Sequence, residues 1–308
     1  MRVSQFFLVL CLIVAQPLSA QSRPEPAQPS LDTLIDSGNL EEAARRIKAK
    51  GPGQNPAAEL LLEASILHKQ QRFLDSLKKT QESLERYAEQ QTTSAAALKL
   101  FGLNLARLNK PDLAQEYFEQ VVAFTPEDAK AWYYLGLAHI ELNRLDEGLS
   151  EIRKSLEMEE SLDGACVLGL ALEKAGRREE AAQAYRRAAA IRRKLNSRSE
   201  APHLYLGRLL SALEQHAEAA ESLREAVSVN GANADAWREL GRSLVALNKP
   251  DQALEALSQA LKLAPDDERV HFLLARVHKS LGNEAKSKEA LNTFLRLEAK
   301  RKAAQASR

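Results

Sequence analysis

An all-α fold of repeated helical hairpins is what this sequence predicts, on three observations. First, small residues recur at a near-constant interval. Ala64, Gly102, Gly136, Gly169, Gly207, Gly241 and Ala275 form one column, and Ala43, Ser76, Ala114, Gly148, Ala181, Ala219, Ala253 and Ser287 a second, mostly at steps of 33 or 34 residues. A fixed period of about 34 marks stacked helix–turn–helix units. Second, apolar residues within a period follow helical spacing. Trp237, Leu240, Gly241 and Leu244 fall at i, i+3, i+4 and i+7 of a first helix (A). Pro250 then opens a second helix (B), whose Ala253, Leu257, Ala260, Leu261 and Leu263 face inward, and Pro265 stops it. Third, helix formers dominate the composition, and aromatics make up only 5%.

The chain begins with Arg2 and an apolar run from Phe6 to Ala15, followed by Pro17 and the small residue Ala20. This is the pattern of an export signal cut after Ala20, so residues 1–20 are expected to be a signal peptide. About ten apolar residues are too few to cross a hydrocarbon core of ~30 Å as a helix, which weighs against an uncleaved anchor. Lipid attachment at Cys11 is disfavoured because Leu10 stands where a small residue is needed. The expected location is therefore exported, periplasmic or secreted, of bacterial type. Membrane association would require an uncleaved or lipidated signal. Export leaves Cys166 alone, with no intramolecular disulfide to form.

Residues 21–30 are a Pro-rich linker. Residues 31–94 hold two degenerate units. The first runs from Leu31 to Lys50, with Leu34 and Ile35, a Gly38-Asn39 turn, then Leu40, Ala43, Ala44 and Ile47; a breaker cluster from Gly51 to Pro56 follows. Six clear units cover 95–301, divided 95–128, 129–161, 162–195, 200–233, 234–267 and 268–301. Two steps of 38 residues add about one helical turn, so the B helices at Phe73–Gln90 and Arg178–Leu195 are predicted to run one turn longer with the same inner face. Lys300, Arg301 and Lys302 suit a helix C-terminus, leaving 302–308 as a basic tail with Ala303 onward fraying.

The units resemble tetratricopeptide repeats. Trp132-Tyr133-Tyr134-Leu135-Gly136 and Trp237-Arg238-Glu239-Leu240-Gly241 match the helix A motif. Phe118 and Tyr185 fill the aromatic position of helix B, and Pro126 and Pro265 the terminal one. The helix A tyrosine position departs, being Leu105, His139, Leu172, Leu210, Leu244 and His278, all bulky packers. The resemblance implies a right-handed superhelical solenoid of about eight units, six clear and two degenerate, with the A helices lining a concave groove. Family members meet partners through positions two, five, nine and twelve of each unit. That implies a peptide-binding groove of Tyr133, Leu137, Leu204, Arg208, Arg238, Arg242, Phe272, Arg276 and Lys279, with Lys99, Leu103 and Leu170 towards the N-terminal side. The C-terminal part is basic with apolar neighbours. It suits an acidic segment or a C-terminal carboxylate; the competing reading is a solvated charged face, given Asp235 and Glu239. The chaperone carboxylate clamp of some family members is not present, since Leu103 and Tyr134 stand where it needs asparagine.

A formal net charge of +1 lacks the basic excess of a nucleic-acid binder. His139, His271 and His278 read as packers, with no metal-ligand motif around them. Ser76-Leu77-Lys78-Lys79 has the Ser-x-x-Lys spacing of an acyl-enzyme, but Ser76 falls in a small packing column and the companion motifs are missing. Cys166 reads as a small, partly buried thiol. Arg186, Arg187, Arg192, Arg193 and Lys194 lie on a B helix as a solvated face, or as a contact for an anionic membrane or polymer. No cofactor, metal or catalytic role is expected. The reading is an exported scaffold that binds partner proteins or peptides through its helix A groove. The alternative is an envelope-anchored accessory subunit of an assembly or secretion complex.

Overall fold

The computed structural model describes residues 29–50 and 55–306. The expected signal peptide, most of the linker, residues 51–54 of the breaker cluster and the last two residues of the tail lie outside the described residues. The chain divides after Gly51 into two units.

Unit 1 is one short hairpin, α1 (Leu31–Asp36) and α2 (Leu40–Lys50). Ser30 caps α1 by accepting from the Thr33 amide at 3.1 Å. Gly38, at φ +81°, makes the turn between the helices.

Unit 2 is all helix among its described residues. Its hairpins are α3 (Pro56–Lys69) with α4 (Phe73–Glu89), α5 (Ala95–Arg107) with α6 (Pro111–Phe124), and α7 (Ala129–Glu141) with α8 (Leu145–Met158). Then come α9 (Leu162–Lys174) with α10 (Arg178–Lys194), and α11 (Ala201–Ala212) with α12 (His216–Val229). The last two are α13 (Ala234–Ala246) with α14 (Pro250–Leu263), and α15 (Glu268–Ser280) with α16 (Glu284–Ala306). Odd-numbered helices are A and even-numbered B. Each helix packs on the next in order. Neighbouring A helices also touch directly, as in α3 with α5, α5 with α7, α11 with α13 and α13 with α15. The A helices therefore form a closely spaced inner face of the solenoid.

Local signals fix each hairpin. Asn55, Ser94, Asp128, Ser161, Asn233 and Asp267 cap A helices with their side chains. Every A helix ends on a residue in the left-handed region: Gln71, Asn109, Asn143, Gly176, Glu214, Asn248 and Gly282, with φ between +53° and +75°. The apolar periodicity of the units does not mark this column. Five of its seven members are Asn or Gly, the residues that adopt this conformation most easily. Gln71 and Glu214 adopt it at a cost. Glu214→Gly is expected to stabilise the chain by about 0.5 kcal/mol. Gly176→Ala should destabilise it by about 1 kcal/mol through backbone conformation alone, since a Cβ there meets nothing within 4 Å. Urea midpoints at unchanged m-value check both signs.

The two B helices expected to be long are α4 and α10, at 17 residues each, against 14 in α6, α8, α12 and α14. Each long helix is followed by a left-handed residue, Gln91 or Asn196. The end of α16 differs from the expectation. The helix continues through Lys302 to Ala306. Ala303 and Ala304 are strong helix formers with no Gly or Pro to stop them, and Arg301 is held to Glu268 of α15 at 2.8 Å.

Glycine sets how closely A and B approach. A Cβ on Gly102 would stand 2.8 Å from the Phe118 ring, one on Gly169 2.3 Å from the Tyr185 ring, and one on Gly241 2.5 Å from Leu257. These partners are large and fully buried. The small column on helix A and the large column on helix B are two halves of one knob-and-hole contact.

Candidate functional site

Positions five, nine and twelve of successive A helices define the inner face. Position nine reads Leu137, Leu170, Arg208, Arg242 and Arg276 along α7, α9, α11, α13 and α15. The face thus changes from apolar to basic along the solenoid. At the changeover α9, α11 and α13 enclose a pocket of about 360 Å³ lined by Leu170, Glu173, Tyr205, Arg208, Ala212, Glu239 and Arg242.

Both carboxylates of this pocket are already engaged. Glu173 accepts from the Tyr185 hydroxyl at 2.5 Å. Burial, and then that bond to Glu173, raise the Tyr185 pKa far above the usual phenol range, so the hydroxyl stays a donor. Glu239 takes Arg238 Nη2 at 3.1 Å on Oε1, and Arg242 Nη2 lies 2.6 Å from its Oε2. That second contact is an ion pair at poor hydrogen-bonding angle, leaving Oε2 without a well-aligned donor. Arg208 is exposed, and among the described residues it has no ion-pair partner. Leu170, 43% exposed, and the Tyr205 ring supply apolar wall beside it. A free guanidinium flanked by apolar surface can take a carboxylate in two parallel hydrogen bonds.

The remaining predicted groove residues fall in three groups. Tyr133 and Leu137 are half-buried on α7. Tyr133 meets Tyr134 edge-on at 5.4 Å, and burial, with smaller contributions from Asp163, Tyr134 and Cys166, pushes its pKa up to about 12. Phe272 is exposed on α15 and leans on Phe294 at 5.4 Å. Arg276 and Lys279 are exposed without an ion-pair partner among the described residues.

Two predicted residues are not free to meet a ligand. Leu204 is 9% exposed and belongs to the same core cluster as Leu240 and Leu244. The Arg238 side chain is 8% exposed. It is ion-paired to Asp235, to Glu239 at 3.1 Å and to Asp267 at 2.7 Å. Lys99 sits at the same position five in its own unit, and binds Asp128 at 2.6 Å. In both cases the carboxylate caps the next A helix. A cation at position five is thus a staple to the following unit wherever aspartate stands 29 residues on. That spacing was present in the sequence and is the signal that would have removed Arg238 from the groove.

Other singled-out residues have structural partners. Ser76 donates to the Ala64 carbonyl at 2.7 Å and accepts from Asn104 at 2.8 Å. His139 meets Glu151 at 2.7 Å, and His271 the Pro265 carbonyl at 2.9 Å. Cys166 is buried, and burial, with Asp163 nearby, pushes its thiol up to about 11. On α10, Arg186 pairs with Glu218 at 3.1 Å, Lys194 with Glu160, and Arg187 reaches the Leu156 carbonyl at 3.1 Å. Among the described residues no group of three or more His, Cys, Asp or Glu could hold a metal ion.

A stack of helical hairpins, closed by glycine–knob contacts and presenting an inner face of A helices, defines a repeat scaffold of the interaction-module class. The chain belongs to the tetratricopeptide repeat family: models of that repeat match residues 99–161, 167–199, 210–276 and 244–308. No curated protein matches it. Among solved structures, the C-terminal part of a TPR repeat-containing protein from Cytophaga hutchinsonii is similar over 77% of this chain and 95% of its own, at 15% identity and TM-score 0.63. PilF of Pseudomonas aeruginosa is similar over 70% of this chain and 97% of its own, at 17% identity and TM-score 0.56. YrrB, described as a TPR protein with an unusual peptide-binding site, is similar over 62% of this chain and 95% of its own, at 21% identity and TM-score 0.51. At these identities the likeness concerns the fold.

Proposed function

We propose that this protein-interaction scaffold takes an extended or helical segment of a partner protein along its helix A face, with the segment's acidic end, or its C-terminal carboxylate, on Arg208. The observation that carries this is the pocket between α9, α11 and α13, where both carboxylates are engaged and Arg208 is unpaired. The change in position nine from Leu137 and Leu170 to Arg208, Arg242 and Arg276 gives the ligand a direction. Its apolar residues lie towards α7 and α9 and its acidic ones towards α13 and α15. A solenoid stacked before binding orders the ligand without first ordering itself, which lowers the entropic cost of association. The protein acts by binding rather than by catalysis.

The signal-like segment at residues 1–20 supports a reading in which the scaffold is exported to a periplasmic or secreted setting. No described helix is long and apolar enough to cross a membrane. Fractionation of producing cells tests this, with recovery in the cytosol at full length as the contrary result.

Fluorescence anisotropy with a labelled peptide of about twelve residues, Leu-rich in its first half and Glu-rich in its second, with a free carboxyl terminus, tests the groove. Arg208→Glu/Arg276→Glu should bind at least ~10-fold more weakly than wild type, because each reversal replaces a charge-assisted hydrogen bond by repulsion. Wild-type binding should itself weaken with salt. Both arginines are exposed and outside the core, so helicity should be unchanged. Equal affinity of the two proteins for the peptide would contradict the assignment.

A further inference from the structure

The flank of α16 that faces away from α14 is the side on which a further A helix would sit in this architecture. In the preceding B helices the equivalent position holds Thr80, Phe118, Ile152, Tyr185, Leu223 and Leu257, all 0–1% exposed. In α16 it holds Leu291, which is 41% exposed, and Leu295 one turn later is 51% exposed. Glu284, Lys288, Leu291, Leu295, Glu298 and Lys302 run along this flank at intervals of 4, 3, 4, 3 and 4 residues. That is the spacing of a coiled-coil seam.

We propose that this flank binds α16 of a second copy of the chain, antiparallel, about a two-fold axis passing at Thr293. In that arrangement Leu291 faces Leu295 of the second copy, Lys288 faces Glu298, and Glu284 faces Lys302. The two-fold axis repeats each contact, so apolar layers stand at the centre with opposite charges on both sides. The sequence specifies both orientation and register. A parallel pair would set Lys288 on Lys288, Glu298 on Glu298 and Glu284 on Glu284. Sliding one helix by seven residues in either direction would set both leucines against Lys or Glu.

The surroundings fit such a partner. Glu284 and Lys288 are exposed and have no ion-pair partner among the described residues. Lys302 holds Glu298 at 2.9 Å within its own helix, a pair with an exposed lysine and a half-buried carboxylate that the second copy's lysine can replace. Ala285, Asn292 and Ala299 border the seam on its solvent side and are small enough for close approach. Arg301, on the other border, is drawn away to Glu268 at 2.8 Å. The pairing would present two helix A grooves in one assembly and strengthen the hold on a partner carrying two binding segments.

Sedimentation velocity on the full chain from about 5 to about 200 µM tests this, since a dimer of exposed surfaces responds to concentration. Wild type is expected to shift towards twice the protomer mass as concentration rises. Leu291→Glu/Leu295→Glu should stay monomeric at every concentration. Lys288→Glu and Glu298→Lys, each alone, should weaken the dimer at least ~10-fold by placing like charges in contact. The combined Lys288→Glu/Glu298→Lys should restore wild-type association. Circular dichroism should show equal helicity throughout, separating association from folding. A wild-type monomer over the whole range would overturn the proposal. So would single charge reversals as tightly dimeric as wild type, or a double reversal no tighter than the singles.

Discussion

Gly169→Ala is expected to destabilise the chain by about 3 kcal/mol, near the upper end for overpacking a core by one methyl group. The new Cβ would stand 2.3 Å from Tyr185 Cε1 and 2.6 Å from Cδ1. An aliphatic partner can rotate away from such contact, as Leu257 can beside Gly241. Tyr185 cannot. Its ring is fully buried, its hydroxyl is bound to Glu173 at 2.5 Å, and its ring also packs on the Tyr205 ring of α11 at 5.6 Å. Relief must come from separating α9 and α10, which disturbs the α10–α11 contact as well. Gly231→Ala is the control. Its Cβ meets only the Val227 carbonyl, at 3.6 Å, and the change should be within about 0.5 kcal/mol of neutral. Urea denaturation of both variants decides the matter. Equal midpoints would mean that the glycine column does not set the helix approach.

Arg238→Ala is expected to cost about 3 kcal/mol, because it removes the buried cation shared by Glu239 and Asp267 and leaves each carboxylate with a single, more exposed arginine, Arg242 or Arg269. Glu239 and Asp267 have side chains only 10% and 12% exposed. Asp267 also caps α15, so the loss spreads to the start of the last hairpin. The cluster carries a pH signature too. Burial pushes the Asp267 carboxyl up, but hydrogen bonds from Arg269 and Arg238 outweigh it and hold its pKa below the ordinary 3.8. A depressed carboxylate adds stability that is complete above its unfolded-state pKa and is lost as pH falls through the lower native value. Wild type should therefore lose this contribution only below about pH 4. Arg238→Ala should lose the Arg238 share of it at neutral pH, keep the Arg269 share, and show a flatter acid limb. Melting temperatures from pH 7 down to pH 3 for the two proteins check both the size and the slope.

Much of the fold could be read from the chain because it repeats. The recurrence of Gly102, Gly136, Gly169, Gly207 and Gly241 locates one helix of each hairpin, and Phe118, Tyr185 and Leu257 locate what fills the space opposite. The extra turn of α4 and α10 follows from four added residues, because 3.6 residues return the helix face nearly to where it was. The left-handed column was harder to see. Gln71 and Glu214 occupy it against their preference, held there by the hairpin around them.

The groove was legible only in part, because a repeat pattern identifies which face a side chain leaves from and not what waits for it. Arg208 and Arg238 occupy neighbouring columns of one face. Arg208 reaches open space, whereas Arg238 is enclosed by Asp235, Glu239 and Asp267, the last of them contributed by the following unit. Leu204 likewise turns inward, into the core cluster it shares with Leu240 of the next A helix. Such contacts are set by how two units stack, and one unit's periodicity carries no trace of them.

The most direct test of the scaffold reading is photocrosslinking in cells that produce the protein, with a photoreactive residue at Leu170 on the wall of the helix A pocket or at Glu255 on α14. The account predicts a discrete protein adduct from position 170 that Arg208→Glu abolishes, and none from position 255. An adduct from position 255 with none from position 170 would contradict it and move the binding surface to the B helices.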